Sequence, residues 1–378
     1  MSLLDKVKHY TKGLDDKGLL RTRVVSRFDE PNLIRFDSND YLSLNQNPVI
    51  AAAFQEGFKS FVSGSGSSML LSGYHENHRN VERAFADFLS VDDCILFSSG
   101  YAANLAVTAL LGQLKVKCMI DKGVHASIYD GLNQARILYD RYLHNNLDDL
   151  QKKLQDHSVL LCEGIYSMSG QMSPLNAIST LCANKGMVLC VDEAHSFGVM
   201  GCNGRGAVNS HQLTQNEVPL RTIAFGKAFA FQGALVAGQK DWINGLLQAG
   251  RSLIYSTAIS PALCHGLLKT LDVVHAEDDR RFKLQELISQ FRASILESSL
   301  QWSDSLTAIQ QLQLGCPQLA MHYANALQNK GIYCSSIRAP TVAAKETGLR
   351  IILNYRHDVT QIKRLFNELD KIYEHQHK

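Results

Sequence analysis

Short apolar runs alternate with amphipathic stretches through residues 50 to 240. The runs at 94–97, 118–121, 159–163, 187–192, 222–225 and 234–237 are four to six residues long and nearly continuous in Val, Ile, Leu, Met, Ala and Cys. Without the polar alternation of a half-exposed strand, they predict strands covered on both faces. Between them, segments such as 102–111 and 147–154 place apolar residues at helical spacing. Strands separated by helices predict an α/β fold with a mostly parallel central sheet covered by helices. In such a sheet, functional residues gather just past the carboxyl ends of the strands.

The pattern changes after Pro261. A long helical stretch at 262–298 leads to shorter strands near 309–314, 332–335 and 349–353, with helices at 317–329 and 360–374. This predicts a smaller α+β domain. The first forty-odd residues are polar, with Arg21, Arg23 and Arg27 clustered ahead of Phe36-Asp37-Ser38-Asn39-Asp40-Tyr41-Leu42. The expected organisation is an N-terminal arm with a short strand over 1–45, a large domain over 46–265 and a small C-terminal domain over 266–378.

Composition narrows the picture modestly. The 378 residues are 45% apolar and 20% charged, as in a soluble globular protein, and the formal net charge of +2 gives no basic footprint for nucleic acid. No run reaches transmembrane length and the first residues lack the apolar core of a signal peptide, so a cytoplasmic protein is expected. The nine cysteines form no CxxC pair and several sit inside apolar runs, which predicts reduced, buried thiols.

Candidate chemistry lies at the predicted strand ends. One apolar run closes on Val191-Asp192-Glu193-Ala194-His195, and roughly thirty residues later another closes on Thr222-Ile223-Ala224-Phe225-Gly226-Lys227. An aspartate and a lone lysine in this order suit pyridoxal 5'-phosphate, whose aldehyde the lysine carries as a Schiff base while the carboxylate keeps the pyridine nitrogen protonated. His195 is placed to reach the phenolic oxygen. Ser98-Ser99-Gly100-Tyr101 ends a strand and opens a helix, whose N–H groups would cradle a phosphate; a plain strand–turn–helix corner has the same pattern. His125, after the next strand, could stack over a cofactor ring. Ser167, in Glu163-Gly164-Ile165-Tyr166-Ser167, could donate to the phenolic oxygen or simply cap a turn. Ser256 and Thr257 offer hydroxyls for phosphate. Thr341 and Arg350 offer a hydroxyl and a guanidinium, and a guanidinium fork suits an amino-acid carboxylate. Asp-Glu-Ala-His also occurs in helicases, but no Walker A sequence accompanies it. His75-Glu76-Asn77-His78 lacks the HExxH spacing, so no metal is expected. The glycine-rich stretches at 64–68 and 201–206 match no nucleotide fingerprint.

Taken in order, SNDYLSL, GSGSS, LSGYHENH, FSSGYAAN, HAS, EGIYSM, VDEAHSFGVMG, FGKA, LIYSTAISPA and IRAPTV resemble the α-oxoamine synthases over nearly the whole chain. The resemblance implies a fold-type I pyridoxal-phosphate enzyme, normally a homodimer with sites at the subunit interface. It implies the branch that condenses L-alanine with pimeloyl-CoA or a pimeloyl acyl carrier protein in biotin biosynthesis. Sister synthases acting on glycine, or on longer acyl-CoA donors to give α-aminoketone autoinducers, remain open. Position by position, Lys227 holds the cofactor; Gly100 and Tyr101 lie near its phosphate; His125 stacks and contacts substrate; and Ser167, Asp192 and His195 bind the cofactor. Arg21 and Thr341 match substrate-binding positions and Arg350 matches a carboxylate clamp. Two departures stand out. Ala224 replaces a threonine that binds phosphate, which also motivates a non-catalytic relative. The bulky Ala228-Phe229-Ala230-Phe231 replaces a glycine-rich stretch and puts acyl-chain specificity in question.

Overall fold

A computed structural model describes residues 1–23, 25, 33–339 and 341–376, and its backbone separates into two compact units. Arg27 lies outside the described residues. The larger unit comprises Asn39–Ser167 and Gln171–Leu284; the smaller comprises Met1–Ser38, Met168–Gly170 and Gln285–Lys378.

The chain opens in the smaller unit with α1 (Leu3–Asp15) and β1 (Ile34–Arg35). The larger unit then runs α2 (Pro48–Ser60), α3 (Glu76–Leu89), β2 (Asp93–Phe97), α4 (Gly100–Gln113), β3 (Cys118–Asp121), α5 (Ala126–Gln134), β4 (Tyr139–Tyr142), α6 (Leu147–Lys153) and β5 (Val159–Glu163). It continues through α7 (Leu175–Asn184), β6 (Val188–Asp192), α8 (Ala207–Ser210), β7 (Leu220–Ala224), β8 (Ala234–Gly238), α9 (Lys240–Ala249), α10 (Arg251–Ile254) and α11 (Pro261–Ala276). The helix α12 (Asp278–Glu297) leads on to β9 (Ile309–Gln313), α13 (Pro317–Gln328), β10 (Ile332–Tyr333), β11 (Ser335–Ile337), β12 (Gly348–Ile352) and α14 (Val359–Gln376).

In the larger unit seven strands form one sheet in the order β2-β8-β7-β6-β5-β3-β4. The run from β7 to β4 is parallel, whereas β8 is antiparallel to both neighbours. The continuous apolar runs follow from cover on both faces. Cys118, Ile120, Val159, Leu161 and Cys190 point to a core shared with Ala103, Val107 and Leu110 of α4 and Ile128 and Leu132 of α5. Their chain neighbours Met119, Leu160, Cys162, Leu189 and Val191 point to a second core with Leu150 of α6 and Leu175 and Ile178 of α7. The edge strand β4 is polar, and Lys153 caps the Arg141 carbonyl at 2.9 Å; charge of this kind protects an open edge. Close approach of α2 to α11 depends on Gly266, where an added Cβ would lie 2.0 Å from the Phe54 ring.

In the smaller unit β11, β12 and β9 form an antiparallel sheet, and β1 pairs in parallel with β10. Phe36 stacks on His357 at 4.3 Å, and its carbonyl accepts from the Ile352 N–H. The stretch expected as one helix over 262–298 is two, interrupted at Glu277. Seven of the nine cysteines are buried thiols; Cys202 is exposed and Cys316 half-buried. No helix among the described residues is long and apolar enough to cross a membrane.

One buried ion pair fixes the edge that matters most. Glu193, immediately after β6, is fully buried and pairs with Arg221 of β7, whose Nε lies 2.5 Å from Oε2. Its other oxygen accepts the Val208 N–H at 2.9 Å. The glycine-rich turn at 201–206 wraps this carboxylate, and a Cβ on Gly206 would stand 2.5 Å from Oε1. Removing one partner leaves an uncompensated buried charge, so Arg221→Met should destabilise the fold by about 3–5 kcal/mol. Urea denaturation measures this; an unchanged midpoint would show the pair to be dispensable.

Candidate active site

The parallel register sets Glu163 of β5 beside Asp192 of β6, and Asp192 beside Thr222 of β7. The last residues of β5 and β6 therefore lie side by side at one end of the sheet, level with the middle of β7, and Lys227 follows five residues beyond Thr222. The turn carrying it is tight. The Ala230 N–H reaches the Lys227 carbonyl at 2.8 Å, Phe231 N–H reaches the Phe225 carbonyl at 3.0 Å, and Phe225 N–H reaches the Gly233 carbonyl at 2.9 Å. Lys227 is half-buried.

Asp192 is 8% exposed, and the described residues that bond to its carboxylate are neutral: Asn104 Nδ2 at 2.7 Å on Oδ2 and the Ala194 N–H at 2.9 Å on Oδ1. Burial without hydrogen bonds would be costly for an ionised carboxylate. These two donors satisfy it, and among the described residues none forms a salt bridge with it. The contrast with Glu193, next in sequence and tied to Arg221, is sharp.

His125 is the N-cap of α5, with Nδ1 accepting from the Ser127 N–H at 3.2 Å and lying 2.8 Å from Ser127 Oγ. Burial lowers its pKa; Asp192 opposes that shift and Lys227 adds to it. Glu163 is buried, and burial followed by the charge of Asp192 raises its pKa well above the carboxylate range. One oxygen accepts the Ser167 N–H at 3.2 Å; the other has no partner among the described residues. His125, Glu163, Asp192 and Lys227 thus act on one another, and buried Ser167 lies in the same turn. His195 is buried, with Nδ1 2.7 Å from Tyr41 Oη.

The strand–helix corner at 97–101 has the form of an anion site. Ser99 caps α4 by accepting the Ala102 N–H at 3.1 Å, its carbonyl takes the Ala103 N–H, and the amides of Gly100 and Tyr101 complete the first turn. A Cβ on Gly100 would stand 3.1 Å from the Cβ of Ala224, so the side chain at 224 faces the start of α4. Tyr101 is 41% exposed, and its hydroxyl donates to Asp130 at 2.7 Å.

The segment carrying Ser256 and Thr257 is clamped by residues 65–78. Thr257 bridges Ser68, Ala258 N–H donates to the Ser67 carbonyl at 3.0 Å, and Ser65 Oγ donates to the Ala258 carbonyl at 2.8 Å. Buried His78 holds the Ile259 carbonyl at 2.7 Å, and Asn77 holds that of Pro261 at 3.0 Å. The GSGSS and HENH stretches, which match no nucleotide or metal motif, serve as this clamp.

Arg21, Thr341 and Arg350 belong to the smaller unit. Arg350 is buried in β12, opposite Gln311 and Ser335. Arg21 and Thr341 are exposed, and the Thr341 N–H donates to the Arg338 carbonyl at 3.0 Å. Sequence reasoning gave no role to Asn104, Tyr41, Ser127 or Arg221. Their partners lie far along the chain or depend on register, although Asn104 and Tyr41 sit inside motifs that were already informative.

A sequence model of the aminotransferase class I and II family matches residues 31–369, and the chain belongs to that family. Within it, the chain is 36% identical over 382 residues to the 8-amino-7-oxononanoate synthase of Photobacterium profundum, covering 97% of this chain and 96% of that protein. It is 37% identical over 345 residues to the enzyme of the same name from Pseudomonas fluorescens, covering 90% and 88%. Among solved structures it is similar to 8-amino-7-oxononanoate synthase from Francisella tularensis (TM-score 0.83, 30% identity, 92% of this chain and 99% of that one). It is also similar to a serine palmitoyltransferase from S. paucimobilis solved with PLP and myriocin (TM-score 0.88, 26% identity, 97% of each chain).

The bulky departure after the lysine has a packing explanation. Phe229 is 1% exposed and stacks on Phe197 at 4.9 Å, with Phe85 and Phe225 each at 5.8 Å; Phe231 stacks on Phe54 at 5.1 Å. Between them Ala230 holds φ at 47°, in the left-handed region that costs an L-residue about 1–2 kcal/mol. Ala230→Gly should therefore stabilise the protein by about 1 kcal/mol, less the added entropy of an unfolded glycine. Thermal denaturation checks this; a lower midpoint would place the strain elsewhere.

Proposed function

We propose that this chain is a pyridoxal-phosphate-dependent acyltransferase that condenses L-alanine with a pimeloyl thioester to give 8-amino-7-oxononanoate, carbon dioxide and free thiol. The carrying observation is Asp192: a buried carboxylate whose partners among the described residues are neutral donors, with its charge available to a cationic ring. The rest of the donor set fits pyridoxal phosphate. The first turn of α4 and the Ser256–Thr257 segment suit its phosphate, Ser167 and His195 its phenolic oxygen, His125 its ring face and Lys227 its aldehyde.

Bound there, the cofactor supplies an electron sink. Asp192 would pair its charge with the ring nitrogen of the bound cofactor. Lys227 Nζ would hold the aldehyde and serve as the base for the substrate Cα proton. His125 would line the ring face and the substrate side of the site. Arg21, Thr341 and Arg350 are assigned to substrate, Arg350 to the amino-acid carboxylate. In the balanced reaction Cα bonds to the acyl carbon, the thiolate leaves and takes a proton, the alanine carboxylate departs as carbon dioxide, and Cα regains a proton.

The aromatic packing of Phe229 supports a pimeloyl donor over the longer-chain sister reading, because that side chain is spent on the core. Whether the donor is a coenzyme A or a carrier-protein thioester is an arm of the test. The working form is taken to be a homodimer in the cytoplasm.

Product analysis of alanine, glycine and serine against acetyl, pimeloyl and longer thioesters tests the reading. Alanine with pimeloyl should dominate, and a preference for glycine with acetyl would overturn it. Lys227→Ala should lower turnover by more than about a thousandfold while the protein still folds. Ala224→Thr should tighten retention of pyridoxal phosphate by about tenfold, the size of one added hydrogen bond to a charged group. Equilibrium dialysis reads that change; no tightening would mean that the hydroxyl does not reach the phosphate.

A further inference from the structure

We propose that Asn104 and Ser127 are positioning residues that hold His125 as the neutral imidazole protonated on Nε2, and tie its polarity to the ionised carboxylate of Asp192. An ionised carboxylate can only accept, so Asn104 must present its NH2 group to Asp192 Oδ2, at 2.7 Å, which fixes the orientation of the amide. The same nitrogen donates its second hydrogen to Ser127 Oγ at 2.9 Å. Ser127 Oγ, 2.8 Å from His125 Nδ1, keeps a second lone pair and its own hydrogen, so it can complement either state of that nitrogen. The backbone N–H of Ser127 decides between them, because it donates to Nδ1 at 3.2 Å. A hydrogen on Nδ1 would confront this donor, so Nδ1 carries the lone pair, accepts the serine hydroxyl as well, and leaves the ring proton on Nε2.

The relay is built into the fold rather than laid on its surface. Asn104 is 5% exposed and Ser127 fully buried, so bulk water does not compete for these bonds. Its members come from α4, from the start of α5 and from the end of β6, and 88 residues separate Asn104 from Asp192. The charged groups that act on the His125 ring are Asp192 from β6, Lys227 from the turn after β7 and Asp130 from α5, while Glu163 at the end of β5 meets the His125 backbone. Burial favours the neutral ring, in agreement with the bonding pattern. Held this way, the imidazole offers a ligand an N–H rather than a basic nitrogen, which suits a carbonyl or carboxylate oxygen. That last step rests on the function proposed above; the tautomer does not.

Full-length protein labelled with 15N-histidine tests the relay, with and without pyridoxal phosphate. The His125 signals are assigned by their loss in His125→Gln. At neutral pH the two-bond correlations should show Nδ1 unprotonated and Nε2 protonated. Ser127→Ala removes one donor to Nδ1. Asn104→Asp, nearly the same shape, draws the serine hydroxyl toward the new carboxylate. Both variants should raise the His125 pKa by about one unit and mix the tautomers. A wild-type spectrum with Nδ1 protonated overturns the proposal, as does a His125 titration unchanged in both variants. The spectrum is read without turnover, so a protein with this signature that fails with every thioester would sink the proposed function and leave the relay standing.

Discussion

Two acidic side chains, adjacent in sequence, leave the end of β6 and are both buried, and the site depends on their being satisfied in different ways. Glu193 meets a cation, Arg221, and the Val208 amide, so its charge is consumed inside the protein. Asp192, among the described residues, meets Asn104 and the Ala194 amide. Hydrogen bonds offset desolvation, but neutral donors do not cancel the charge. Glu193 thus anchors the turn that holds Asp192 in place, and Asp192 retains an electrostatic influence felt by His125 and Glu163. Because β5 and β6 run parallel and in register, their last residues Glu163 and Asp192 lie side by side, and no loop has to bring the acidic groups together.

Most of the sheet was legible because strands covered on both faces are apolar at every position, and bounds such as 118–121 and 159–163 coincide with β3 and β5. What escaped notice lacked that signature. The strand β4 reads Tyr-Asp-Arg-Tyr, as an exposed edge does, and α1 buries no residue and rests on its Ser2–Asp5 capping box. The interruption at Glu277 carries neither Gly nor Pro to announce it. Within the site, titratable residues at strand ends were legible, whereas their neutral supports were not. Asn104 sits 88 residues from Asp192 and Tyr41 sits 154 from His195, and nothing local distinguishes such partners from any polar residue on a helix or loop.

The stretch after Lys227 shows how a departure in sequence is to be weighed. Judged from residue size alone, Phe229 and Phe231 crowd a stretch that the family resemblance makes glycine-rich, and acyl-chain specificity is the obvious casualty. In the fold both rings face packing partners, Phe229 among Phe85, Phe197 and Phe225 and Phe231 against Phe54. Ala230 between them takes a left-handed conformation because the two anchors and the bond from its N–H to the Lys227 carbonyl leave it little choice. A glycine-rich turn would reach the same shape without strain but would lose more backbone entropy on folding. Here aromatic burial on either side offsets the local cost, and the backbone that bears Lys227 is fixed by side chains packed against Phe54, Phe85, Phe197 and Phe225.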